Sequence, residues 1–163
     1  MVAILDDAAS WLRSRGIDQW QPGTFETEVY EAVSAGEMYV AESEGSILGC
    51  FRLGRADADA IAAWSRVGMH EDSGGTLYLS RMAVGDERHG TNNGSQLIGL
   101  AMEMAKNLGV GHVRLDCWAG NGTLRAFYTA EGFTRVSDVE SPTKDRAGEV
   151  IRVSLFERLV EQP

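Results

Sequence analysis

Residues Leu77 to Leu97, LYLSRMAVGDERHGTNNGSQL, read as an apolar strand, a polar turn and the start of a helix. At a helix start the first backbone N–H groups lack intrahelical partners, and the peptide dipoles sum there to partial positive charge. An anion satisfies both, so the run predicts a cradle for phosphate groups. Gly90 and Gly94 let the backbone approach a ligand closely, while Thr91, Asn92, Asn93 and Ser95 supply short polar side chains that can cap the helix. An ordinary capped strand-to-helix turn has the same appearance, so the choice rests on the rest of the chain.

The 163 residues fit one domain, expected to span residues 1–163, and are long enough to bury a sizeable core. With 44% hydrophobic and 24% charged residues and no repeat or low-complexity tract, the composition is that of a globular protein. Apolar stretches fall far short of a membrane span, and Asp6 and Asp7 follow Met1 where a secretory signal would place basic and then apolar residues. A cytoplasmic protein with no membrane partner is expected.

Cys50 and Cys117 each sit within an apolar strand-like run, where a thiol serves as a small hydrophobe, so no disulfide is expected. His70, His89 and His112 have no spacing to each other or to the cysteines that suits a metal, and none is expected. The net charge of −9 is uneven: residues 1–75 carry 13 acidic and 5 basic residues, residues 76–163 carry 11 and 10. That balance argues against nucleic acid as a partner and leaves the second half less repulsive to an anionic ligand.

Working outward, Ile4, Ala8, Trp11 and Leu12 share a helical face over most of Val2 to Arg15. Pro22-Gly23 marks a turn, Thr24 is a candidate N-cap, and Phe25, Val29 and Val33 predict a short helix ending before Gly36. Met38–Glu42 and Ile47–Leu53 alternate around Glu44-Gly45 as a β-hairpin. A helix is expected near Ala58–Trp64, then a loop MHEDSGG and the strand Leu77–Val84. Leu97, Ala101, Met104 and Leu108 give the helix after the cradle, with Gly109 as its stop. His112–Trp118 reads as a strand, Thr123–Glu131 as a helix stopped by Gly132, and Phe133–Val139 with Glu149–Phe156 as a closing hairpin. The sum is an α/β (α+β) architecture: a mixed sheet with helices on its faces.

This order of parts, with HGTNNGSQLI after one strand and LDCWAGNGTLRAFYTAEGF closing the next unit, resembles the GNAT superfamily of acyl-CoA-dependent N-acyltransferases over nearly the whole chain. In that family a loop of pattern Arg/Gln-x-x-Gly-x-Gly/Ala binds the pyrophosphate of acetyl-CoA. An Asn after the following strand precedes a helix bearing a Tyr near a Gly-Phe pair. Asn121, Tyr128, Gly132 and Phe133 match the second signature. The first is altered: with Gly94-Ser95 on the family's final Gly, His89 takes the Arg/Gln position and Asn92 the first Gly position. Binding through backbone N–H groups survives this, because His and Asn still provide them and Asn tolerates left-handed geometry. The family's usual first edge strand is missing, since the chain opens almost directly in helix-like sequence.

The resemblance implies acetyl-CoA as acyl donor and a primary amine of a small molecule or peptide as acceptor, with direct attack in a ternary complex. Met82, Ala83 and Val84 would pair with the pantetheine arm and face the thioester oxygen. His89, Gly90, Thr91, Asn92, Asn93, Gly94 and Ser95 would hold the pyrophosphate, and Asn121 and Tyr128 would complete the cofactor site. Tyr128, protonated at neutral pH, is the expected general acid toward the departing thiolate. The strand Leu77–Val84 carries no carboxylate, so the amine's proton would leave through water or through Asp116, Glu42 or Glu71, with Asp116 favoured. A covalent route through Cys117 lacks a neighbour that would lower its pKa. Trp11, Trp20, Phe25 and Trp64 could wall an acceptor pocket or simply pack the core. A homodimer is one expectation for the assembly. The reading from a different class is a non-catalytic acyl-CoA-binding sensor or interaction module on the same fold.

Overall fold

The computed structural model describes residues 1–43, 45–69, 75–85, 92–142 and 149–161. Its elements run α1 (Val2–Ser14), α2 (Glu26–Ser34), β1 (Met38–Ser43), β2 (Ser46–Gly54), α3 (Ala58–Ser65), β3 (Thr76–Val84), α4 (Asn93–Asn107), β4 (His112–Trp118), α5 (Gly122–Ala130), β5 (Thr134–Pro142) and β6 (Val150–Leu159). Six strands form one sheet in the order β1-β2-β3-β4-β6-β5. β3 and β4 are parallel, whereas β1/β2, β4/β6 and β5/β6 are antiparallel, so the sheet is mixed, as expected. A helix comes first and the first strand starts at Met38, in keeping with a missing edge strand. Among the described residues no helix is long and apolar enough to cross a membrane.

The chain forms two compact units. The first comprises Met1–Gly54 and Leu79–Ala101. Its core joins Leu5, Ala8 and Ala9 of α1, Phe25, Val29 and Ala32 around α2, Met38 and Cys50 of the hairpin, and Ala83 of β3. The α1 face is thus centred on Leu5 and Ala9 rather than on Ile4 and Trp11; Ile4 packs at its margin, and Arg15 stacks its guanidinium over Trp11 at 4.3 Å. On α2 the third buried position is Ala32, while Val33 faces solvent. Thr24 does not cap this helix: its hydroxyl donates to the Gln21 carbonyl at 2.8 Å, and Phe25, already in a helical conformation, is the N-cap. Arg52 of β2 is paired with Glu37 at 2.5 Å beside the hairpin.

Gly49 fixes how closely two strands of this unit approach. A Cβ placed on it would overlap the Ala83 carbonyl oxygen and stand 2.9 Å from Leu97 Cδ1 and 3.0 Å from Val84 Cα. A bare backbone is required there.

The second unit comprises Arg55–Tyr78 and Met102–Pro163. The side chain of Asp57 accepts the Ala60 N–H at 2.9 Å and caps α3. Ala63 and Trp64 of α3 pack with Tyr78, Val153 and Leu155. β4 lies between β3, paired over Thr76–Tyr78, and β6, paired along its whole length. β4 is therefore an interior strand with both edges paired, and Arg114 is buried at 7% exposure although it alternates with Val113 and Leu115. Its guanidinium donates to Glu157 at 2.6 Å and to the Tyr78 hydroxyl at 3.3 Å, and sits 4.5 Å from the Trp64 ring centroid. The buried charge is thereby paired and hydrogen-bonded.

Candidate functional site

Each unit carries one group of the predicted site residues. In the first, β3 ends in Met82, Ala83 and Val84, with Ala83 buried and its two neighbours half-buried. Arg81, immediately before them, has φ +49, a left-handed value for a non-glycine residue within a strand. Gly85 donates its N–H to Leu48 at 2.9 Å, which ties the end of β3 to β2. α4 begins at Asn93, which is buried, with Gly94 and Ser95 half-buried in its first turn and Asn92 exposed just before it. The Asn92 carbonyl accepts the Gln96 N–H at 3.3 Å, the first turn of that ladder. His89, Gly90 and Thr91 lie outside the described residues.

Side chains, not backbone, make the second group. Asn121 is the N-cap of α5: its Oδ1 accepts the Leu124 N–H at 3.0 Å, satisfying one orphan donor of the first turn. Seven residues on, Tyr128 is 7% exposed, with the rings of Phe127, Phe133 and Phe156 centred 5.4, 5.9 and 5.9 Å away. Gly132, at φ +82, turns the chain after the helix, and the Phe133 N–H returns to the Tyr128 carbonyl at 3.0 Å. The Asn, Tyr and Gly-Phe of the second signature are thus one folded piece.

The titration of this second group follows from its burial. Desolvation pushes the Tyr128 phenol well above its ordinary value, and the nearby Cys117 and Asp116 push in the same direction. Burial, then the Asp116 charge, also raises the Cys117 thiol to about 12. The Tyr128 phenol and the Cys117 thiol therefore both stay protonated at neutral pH. Cys50, in the first unit, is likewise raised to about 11, chiefly by burial; both cysteines are free and buried.

Asp116 lies exposed on β4, opposite Leu155 of β6. The ion pair of its neighbour Arg114 goes to Glu157. Glu42 is exposed on β1, and Glu71 lies outside the described residues. The aromatic side chains resolve into separate roles: Trp64 is in the second unit's core, Phe25 in the first unit's, and Trp20 stacks edge-on against Phe25 with centroids 5.6 Å apart. Trp64 and Phe25 are core residues, not pocket walls. Among the described residues no group of three or more His, Cys, Asp or Glu could hold a metal ion.

Sequence reasoning missed Arg81 and its partner Glu28, because nothing in SRM announces a left-handed residue. Gly49, inside the apolar run ILGCF, was the available sign that another backbone passes close to this strand.

The sequence matches the model of the Acetyltransferase (GNAT) family over residues 5–133. A GNAT family acetyltransferase from Listeria monocytogenes 4b F2365 is similar in structure, with TM-score 0.73 and 21% identity over 96% of this chain and 86% of that one. A GNAT family acetyltransferase from Elizabethkingia anophelis, solved with acetyl-CoA bound, has TM-score 0.63 and 17% identity over 82% of each chain. The ribosomal-protein-alanine N-acetyltransferase of Brucella melitensis has TM-score 0.64 and 18% identity over 97% of this chain and 91% of that one. No curated protein matches the sequence.

Proposed function

Because the chain belongs to the GNAT acetyltransferase family, we propose that it moves an acetyl or other short acyl group from acetyl-CoA to a primary amine of a small molecule or peptide. The attack is direct, within a ternary complex. The observation that carries this reading is the setting of Tyr128: a phenol at the family's proton-donor position, held protonated by burial on a helix capped by Asn121. The Elizabethkingia neighbour with acetyl-CoA bound supports the choice of donor.

In this mechanism the backbone of Met82, Ala83 and Val84 pairs with the pantetheine arm, and its N–H groups polarise the thioester oxygen. His89, Gly90, Thr91, Asn92, Asn93, Gly94 and Ser95 take the pyrophosphate, the last three of them in the first turn of a 15-residue helix. The neutral amine attacks the carbonyl carbon and the C–S bond breaks. Tyr128 gives its proton to the departing thiolate, and the proton lost by the amine returns through water, with Asp116 as the favoured carboxylate, to restore the phenol. No covalent enzyme intermediate is needed, which suits a thiol at Cys117 held near 12. One domain over residues 1–163, a cytoplasmic location and a homodimer belong to the same proposal.

Thiol release from acetyl-CoA, followed across a panel of amines, tests it. Turnover on any primary amine is the expected result. Acetyl-CoA binding with no release on any amine would favour a binding module, and no binding of acetyl-CoA or CoA at millimolar ligand would contradict both.

A further inference from the structure

We propose that Arg81, gripped by Glu28, is a positioning residue that holds Met82–Val84 in the bent conformation that presents their N–H groups to the thioester. The inference rests on the acyl-transfer reading of that segment. A left-handed residue interrupts the alternation of a strand and turns the peptide planes that flank it, which is how bulges re-aim the groups beside them. Arginine has no preference for φ +49, so the conformation at Arg81 is imposed by its surroundings.

Those surroundings grip the side chain from two directions. Its Nε and Nη2 both donate to Glu28 Oε2, at 2.9 and 2.7 Å. Its Cζ lies 5.9 Å from the Trp20 ring centroid and 5.7 Å from that of Phe25. Only 18% of the Arg81 side chain and 23% of the Glu28 side chain are exposed, so the pair is sheltered from much of the screening that weakens surface ion pairs.

The anchor and the held strand also share one packed cluster. Phe25, Val29 and Ala32 around α2 lie in the same core as Ala83, with Trp20 packed against it. Glu28 therefore sits on an element that is itself fixed against β3, and a change at Glu28 reaches the amides of residues 82–84 through Arg81. A lysine at position 81 would keep the charge and lose the planar fork that makes two donations to one carboxylate.

The test combines turnover with the backbone amide NMR response of Met82, Ala83 and Val84 to acetyl-CoA, in wild type, Glu28→Gln, Arg81→Gln, the double variant and the reversed pair Glu28→Arg/Arg81→Glu. Each single variant should lower kcat about tenfold while the acetyl-CoA Kd stays within about threefold, the signature of lost orientation rather than lost binding. The double variant should be no worse than the poorer single one, and the reversed pair should recover part of the loss. The amide responses should shrink in step with kcat. Folded variants with kcat within about twofold of wild type, or with undiminished amide responses, would overturn the proposal. If wild type turns over no amine, acyl transfer fails as a reading while the amide responses still decide the clamp. Wild-type amides that ignore acetyl-CoA overturn the clamp as well.

Discussion

In the proposed site β3 offers a ligand its backbone amides, beside the left-handed Arg81 and the bare Cα of Gly49, whereas α5 offers side chains, the Asn121 cap and the Tyr128 phenol. The two regions consequently tolerate sequence change differently. A backbone site keeps its donors when side chains drift, which is how His89 and Asn92 can stand where the family pattern has Arg/Gln and Gly. It depends instead on residues outside the signature that shape the main chain. A side-chain site has no such latitude: its residues must stand in register, and Asn121, Tyr128, Gly132 and Phe133 do.

The largest effect that separates the regions should come from Gly49→Ala. The added methyl meets the Ala83 carbonyl and the Val84 Cα, both backbone atoms, so β3 must move. Overpacking of this kind costs about 2–3 kcal/mol, and acetyl-CoA affinity should fall about tenfold with it. Thermal unfolding and calorimetry read both; a melting temperature and affinity equal to wild type would mean that the strand end is not shaped by this approach.

Asn121→Ala probes the other region at smaller scale. Loss of the cap bond to Leu124 should cost about 1 kcal/mol and fray the start of α5, with the acetyl-CoA contribution of Asn121 lost besides. Asn121→Asp or Asn121→Ser should restore the stability, since either can cap. If neither does, capping is not what the residue contributes.

The smallest effect lies on β5 and β6, away from the proposed chemistry. Hydrogen bonds from Arg135 first, and from Ser154 at 2.6 Å, lower the Asp138 carboxyl to about 2. A carboxylate lowered in the folded state stabilises fully above its unfolded value of about 4, and that contribution disappears as the pH falls from about 4 to about 2. With the Arg135 side chain 45% exposed, solvent screening limits the effect to about 0.5–1 kcal/mol. Asp138→Asn should therefore be less stable than wild type at pH 7 and indistinguishable from it near pH 2, by denaturant titration. An equal deficit at both values would assign the loss to packing rather than charge.

How much was legible in the sequence divides along the same line. Periodicity located β4 at His112–Trp118 to the residue and α1, α2, α3 and α5 to within one or two, while the spacing from Leu97 to Leu108, stopped by Gly109, gave the end of α4 but not its start at Asn93. The α5 group was legible as a family resemblance because Asn121, Tyr128, Gly132 and Phe133 are residue types at fixed spacing. At the start of α2 the reading failed: Thr24 has a capping hydroxyl, but a turn carbonyl at Gln21 takes it. Arg114 offers a subtler case, a charge on an alternating strand that reads as solvent-facing, yet Glu157, the Tyr78 hydroxyl and the Trp64 ring enclose it. The left-handed φ of Arg81 was invisible, since its partner Glu28 is 53 residues away in sequence and leaves no local mark.

Tyr128→Phe tests the central claim most directly, because it removes one oxygen from a ring otherwise held by Phe127, Phe133 and Phe156. Turnover of the best amine found in the panel and the Kd for acetyl-CoA should be measured together. The account predicts that turnover falls by about tenfold or more while the Kd stays within about twofold of wild type. Unchanged turnover in the folded variant would contradict it.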